Sequence, residues 1–132
     1  MPRTVTLAVE LPASAARLYR MYLDPKEHGA FTGAPVKIAA RPGAPFAAFG
    51  GALSGTILQV VPNRLIVQSW RSTQFAKQDL DSTLVLSFWA KGRGGARIEL
   101  THVNVADSDF AGVSEGWSKY YWIPWRAYLA RK

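Results

Sequence analysis

The sequence predicts an α+β fold in which a curved antiparallel sheet of about seven strands wraps one long C-terminal helix, with two short helices after the first strand. Three observations predict it. Helix-spaced segments fall at the two ends of the chain instead of alternating with strands. Turn residues recur about every eight to twelve positions through the middle, between runs rich in β-branched and aromatic residues. The C-terminal segment carries an aromatic stripe at three- and four-residue spacing, and a stripe that size needs the concave face of a sheet to bury it.

The elements follow in order. Val5, Leu7 and Val9 alternate with Thr4, Thr6, Ala8 and Glu10, the period-two pattern of a half-buried strand. Ser14 is placed to cap a helix carrying Ala16, Leu18, Tyr19, Tyr22 and Leu23. Asp24-Pro25-Lys26-Glu27 starts a second helix, with Asp as cap, Pro at the first position and Glu at the capping-box position. The breakers Arg41-Pro42-Gly43, Phe49-Gly50-Gly51, Val61-Pro62-Asn63 and Lys91-Gly92-Arg93-Gly94-Gly95 then separate strands expected at Val36 to Ala40, Pro45 to Phe49, Leu53 to Val61, Leu65 to Arg71, Ser82 to Ala90 and Ala96 to Val103. The last helix is marked by Phe110, Val113, Trp117, Tyr120, Tyr121, Trp125, Tyr128 and Leu129. Pro124 lies inside it and lacks an amide hydrogen for the Tyr120 carbonyl, so a kink or a restart is expected there.

Composition narrows the function. A chain of 132 residues is the size of one domain, and residues 1–132 are read as one. With 48% apolar and 19% charged residues, neither disorder nor a fibrous architecture is indicated. Five Trp, five Tyr and six Phe are the unusual part; they must pack together, line a cavity or form an adhesive surface. The absence of Cys excludes disulfides and thiolate chemistry, and with no membrane-length apolar run and no signal-like N-terminus a cytoplasmic protein without membrane attachment is expected. The net charge of +7 raises nucleic acid as a partner. The cations are nevertheless scattered over every element, gathering only at Arg126, Arg131 and Lys132, where a helix C-terminus favours them. No nucleic-acid partner is expected.

Several local strings carry a family resemblance: Leu18-Tyr19-Arg20, Ala30-Phe31-Thr32-Gly33-Ala34-Pro35, Gly50-Gly51 with Ser54-Gly55, Val61-Pro62 running into Ile66-Val67 and Trp70-Arg71, and Gly116-Trp117-Ser118-Lys119-Tyr120-Tyr121. In this order and spacing the chain resembles the SRPBCC or START-like superfamily, and within it the family named for the activator of heat-shock protein 90 ATPase, in its C-terminal-domain and bacterial single-domain forms. The resemblance implies the helix-grip fold, with a cavity between sheet and C-terminal helix. Two features depart from the family. The N-terminal domain of the eukaryotic activator has no counterpart in these residues, and Pro124 interrupts a final helix that is usually continuous.

Alternation assigns the inward side chains. On the strand around Trp70 the inward set is Ile66, Gln68 and Trp70, on the next Leu84, Leu86 and Phe88, and on the last Ile98, Leu100 and His102. Gln68 and His102 are thus the polar groups aimed at the concave side, where each needs a partner from the protein or from a ligand. Trp117, Tyr120 and Tyr121 are able to stack a flat molecule, although aromatic residues at helical spacing commonly serve as core. With Phe31, Phe88 and Trp70 they complete the expected ligand-binding cavity. No catalytic or metal-binding residue is assigned, and no cofactor: the histidines are His28 and His102 alone, and the carboxylates show no acid/base or metal-ligand spacing. The glycine runs at Gly50-Gly51 and Gly92 to Gly95 do not lead from strand into helix, as a phosphate loop would.

Three functions follow. The first is a binding module holding a small apolar or aromatic ligand without turnover. The second, implied by the resemblance, is a co-chaperone-like protein that docks a chaperone. The third, also implied by it, is a cyclase- or hydratase-type enzyme with His102 as acid/base. A monomer or homodimer is compatible with each.

Overall fold

The computed structural model describes residues 1–131; Lys132, counted above among the C-terminal cations, lies outside the described residues. Strand β1 (Arg3–Leu11) is followed by helices α1 (Ala15–Leu23) and α2 (Pro25–Thr32), then by β2 (Val36–Lys37), β3 (Pro45–Ala48), β4 (Leu53–Val61), β5 (Leu65–Ser72), β6 (Ser82–Lys91) and β7 (Gly95–Val105). A C-terminal helical stretch closes the chain. It comprises a 3₁₀ turn (Asp107–Asp109), α3 (Phe110–Gly116), a π-helical segment (Trp117–Trp122) and α4 (Ile123–Ala130).

The caps form as their chemistry requires. Ser14 Oγ accepts from the Arg17 amide at 3.1 Å and Asp24 Oδ1 from the Lys26 amide at 3.0 Å, satisfying donors that have no intrahelical partner. Gly33, at φ +80°, ends α2 in the left-handed conformation that glycine adopts without strain.

All seven strands lie in one antiparallel sheet in the order β1-β7-β6-β5-β4-β3-β2. The inward sets expected from alternation are buried: Ile66, Gln68 and Trp70 on β5, Leu84, Leu86 and Phe88 on β6, and Ile98, Leu100 and His102 on β7. Strand β2 is shorter than its apolar run suggested, because only Val36 and Lys37 find partners on β3.

Two bulges curve the sheet. In β4 the register slips between Ile57 and Gln59, leaving Leu58 unpaired. Just before it, Ser69 Oγ accepts from the Thr56 amide at 2.9 Å, and a side chain at Gly55 would collide with the Ser69 carbonyl. Glycine is therefore obligatory where β4 crosses closest to β5. In β7, Asn104 takes φ +63° and its amide nitrogen donates to the Asp81 carbonyl at 3.1 Å, while the pairing with β1 shifts by one residue.

The C-terminal stretch resolves the Pro124 problem in a third way, neither kink nor restart. Backbone angles at Gly116, Trp117, Trp122 and Ile123 stay right-handed helical, but the hydrogen bonding widens: the Ile123 amide reaches back five residues to the Ser118 carbonyl. A proline ring clashes with the carbonyl four residues earlier in a regular α-helix, and a wide turn directly before Pro124 moves that carbonyl aside. The extra residue in the turn rotates the stripe. Trp122 enters the core together with Trp117, Tyr121 and Trp125, whereas Tyr120 is 49% exposed.

Candidate functional site

The interior beneath the sheet is filled by aromatic rings. His28, Phe31, Trp125, Trp122 and Trp117 form a continuous ladder, with centroid separations of 5.2, 4.2, 6.4 and 5.7 Å and interplanar angles of 8, 6, 24 and 26°. Phe31 is thus sandwiched inside the core between His28 and Trp125. Phe88 is likewise buried, edge-on to Tyr19 at 5.8 Å.

Among the polar groups in this interior, Gln68, Ser82, His102 and His28 have partners within the protein. The Tyr22 hydroxyl donates to Gln68 Oε1 at 2.6 Å. Ser82 Oγ donates to the Trp70 carbonyl at 2.6 Å, so at its 2.8 Å contact with His102 Nε2 it accepts. His102 Nδ1 in turn accepts from Trp117 Nε1 at 3.2 Å. Both contacts require the neutral tautomer with its hydrogen on Nε2, and burial holds the His102 pKa down to about 3. A Ser–His contact of this length is what an activated nucleophile needs, but here the proton runs from histidine to serine and the other ring nitrogen faces a donor instead of a carboxylate. The pair is a structural brace.

His28 is the mirror case. Its Nδ1 donates to the Tyr22 carbonyl at 2.7 Å, which leaves Nε2 to accept from the Tyr121 hydroxyl at 2.8 Å. Burial lowers its pKa to about 4, against a smaller upward push from the Tyr22 carbonyl, and burial raises the Tyr121 phenol so that it stays a donor. Sequence reasoning did not give His28 or Tyr22 a role; the signal was the Tyr22/His28 spacing across the turn between α1 and α2, legible only once that turn is folded.

The open site lies at one end of the sheet–helix interface, where α3 and the π-helical segment stand off from the start of β4 and the end of β5. It is a cleft of about 480 Å³, within the range typical of small-molecule sites. Phe49 and Leu53 line one side, Trp70 the sheet side, and Trp117, Tyr120 and Tyr121 the helix side. Gly112 and Gly116, about one turn apart, add no side chain to its helical wall, and Asp109 lines the same cleft. Of the expected cavity residues, Trp70, Trp117, Tyr120 and Tyr121 come together here, whereas Phe31, Gln68, Phe88 and His102 lie in the packed interior behind them. Two buried indole N–H groups, Trp70 Nε1 and Trp125 Nε1, have no hydrogen-bond partner among the described residues, and the Trp70 side chain borders the cleft.

Among the described residues no group of three or more His, Cys, Asp or Glu is placed to hold a metal ion, and no helix is long and apolar enough to cross a membrane.

With this geometry in hand, comparison with known proteins decides the family. The model of the family described as activator of Hsp90 ATPase homolog 1-like protein matches residues 12–124. The chain belongs to this family. Among curated members of known sequence, an activator of 90 kDa heat shock protein ATPase homolog from Dictyostelium discoideum is 24% identical over 117 residues, covering 89% of this chain and 30% of the relative. Homolog 1 from Homo sapiens is 27% identical over 117 residues, covering 89% and 34%. The chain therefore spans about a third of the curated relatives it matches. The fold is shared with PFC0360w, an HSP90 activator from Plasmodium falciparum, at TM-score 0.86 and 17% identity over 96% of both chains. It is also shared with CalU16 from Micromonospora echinospora at TM-score 0.74 and 24% identity, over 90% of this chain and 71% of that one. Both fit the helix-grip architecture.

Proposed function

We propose that this family member is a binding module that holds a small apolar or aromatic molecule in the cleft beside the π-helical segment, without turnover. The observation that carries the reading is the cleft itself: it is walled by Phe49, Trp70, Trp117, Tyr120 and Tyr121 and opens beside a continuous buried core. Away from the cleft, the buried polar side chains of Gln68, His28, Ser82 and His102 are partnered within the protein. His102, with both ring nitrogens engaged inside the protein, leaves an enzymatic acid/base role without a free group to perform it.

The test fills the cleft without touching the core. A side chain at Gly116 has room, its first carbon meeting only the Tyr120 ring at 3.5 Å, so Gly116→Leu occupies the cleft and also removes a helix-destabilising glycine. Native mass spectrometry after incubation with a mixture of aromatic metabolites and lipids is expected to show an adduct on the natural protein that Gly116→Leu loses. No adduct on either protein would refute the reading.

A second reading, docking of a chaperone, is favoured by the family and by the half-exposed Tyr120 and the 61% exposed Ile123, which put apolar surface beside the cleft mouth. Stimulation of purified Hsp90 ATPase, abolished by Ile123→Glu, would select it; no effect on the ATPase would remove it.

A further inference from the structure

Resting on the cleft-binding reading, we propose that the ligand is a hydrophobic amine, cationic at neutral pH, whose ammonium group pairs with Asp109 while its flat ring lies among the aromatic walls. Asp109 is the carboxylate in the cleft lining. Its surroundings are unusual for this chain, which has sixteen Lys and Arg against nine Asp and Glu. Glu10, Asp81, Glu99 and Asp107 sit in ion pairs. Asp24, Glu27 and Asp79 accept hydrogen bonds from Lys26, Tyr128 and Ala76. Asp109 and the exposed Glu115 have neither a cation within 4 Å nor a hydrogen-bond donor among the described residues, and of the two Asp109 is the one that lines the cleft.

An acidic residue at a helix start usually has a structural reason, and that reason fails here. Asp109 occupies the cap position of α3, yet its side chain makes no capping bond. The carboxylate instead lies over Gly112, where a side-chain carbon would come within 2.7 Å of Oδ1. Glycine at 112 thus leaves space for the carboxylate on the cleft side of the helix.

The rest of the lining suits the same ligand. An ammonium group is attracted to the faces of Trp and Tyr rings, and a carboxylate beside an aromatic wall combines that attraction with a direct ion pair. Tyr120 already engages such a group: Lys119 Nζ lies 5.3 Å from its ring centroid. Trp70 presents its buried ring to the sheet side of the same cleft. A neutral hydrocarbon would satisfy the rings and leave Asp109 unmatched.

Three probes of one shape separate this proposal from the reading it rests on: 2-(2-naphthyl)ethylamine, 2-(2-naphthyl)ethanol and 2-naphthylacetate, titrated calorimetrically into the natural protein and Asp109→Asn. The expected order of affinity is amine, alcohol, carboxylate. The amine should exceed the alcohol roughly tenfold, a typical effect of a charge-assisted contact at a partly exposed site, and the gap should close in Asp109→Asn. Equal binding of amine and alcohol by the natural protein overturns the amine proposal and leaves the cleft-binding reading standing. A preference for amine that persists in Asp109→Asn also overturns it. Failure of all three probes to bind overturns both.

Discussion

His28 and His102 make the stability of this protein steeply dependent on pH, in a window set by their burial. In the unfolded chain both titrate near 6.5; in the folded protein burial lowers them to about 4 and about 3. Above the unfolded value both states are neutral and the histidines impose no penalty. As pH falls below 6.5 the unfolded chain takes up protons that the folded one refuses, so stability is lost progressively until pH reaches the folded values. The slope is about 1.4 kcal/mol per pH unit for each histidine in that window. Between pH 6.5 and 4.5 the pair together costs about 4 kcal/mol, a large part of the whole stability of many domains. The local reason is geometric: a proton on His102 Nδ1 would face the Trp117 N–H, a donor unable to accept. Urea unfolding followed by circular dichroism at pH 7.0, 6.0, 5.0 and 4.5 measures the slope. His102→Gln is expected to shift stability at every pH and also to halve the slope between pH 6 and 4.5, while carboxylate titrations common to both proteins cancel. An unchanged slope in His102→Gln would refute the tautomer and burial argument.

Two further outcomes follow from the same packing. Tyr121→Phe removes the donor to His28 Nε2 and leaves a buried acceptor unpaired; a loss of about 1–3 kcal/mol is expected by urea unfolding at pH 7, with no loss pointing to a water in its place. Gly55→Ala pushes a carbon into the Ser69 carbonyl, so β4 must withdraw from β5, and a loss of about 3 kcal/mol or more, or insoluble expression, is expected. A natural-like melting temperature for Gly55→Ala would show that the close approach is not maintained in solution.

Much of the fold was legible because its signals are local. Alternation at Ile66, Gln68 and Trp70 fixes one inward face whatever lies opposite, and the Ser14 and Asp24 caps are read from one turn of chain. The site was less legible for three reasons of geometry. Alternation tells which face a residue takes but not whether the space before it is filled, so Phe31, Gln68 and Phe88 were grouped with Trp70 although ring stacking and the Tyr22 hydroxyl enclose them. Helical spacing assumes a regular period, and the π turn breaks it; Trp122 was therefore missed and Tyr120 placed too deep. Asp109 was left among the carboxylates without a role because its place in the cleft and its lack of a capping bond are invisible without coordinates.

The π-helical segment draws these threads together. Pro124 makes a regular turn sterically unfavourable, and the wide turn that answers it sets Trp117 and Tyr121 where each hydroxyl or indole donor meets a neutral histidine, His102 on the sheet and His28 on α2. The same two residues form the inner helical wall of the cleft. The buried imidazoles thus hold one side of this helical stretch against α2 and the sheet, and its other side forms the cleft wall.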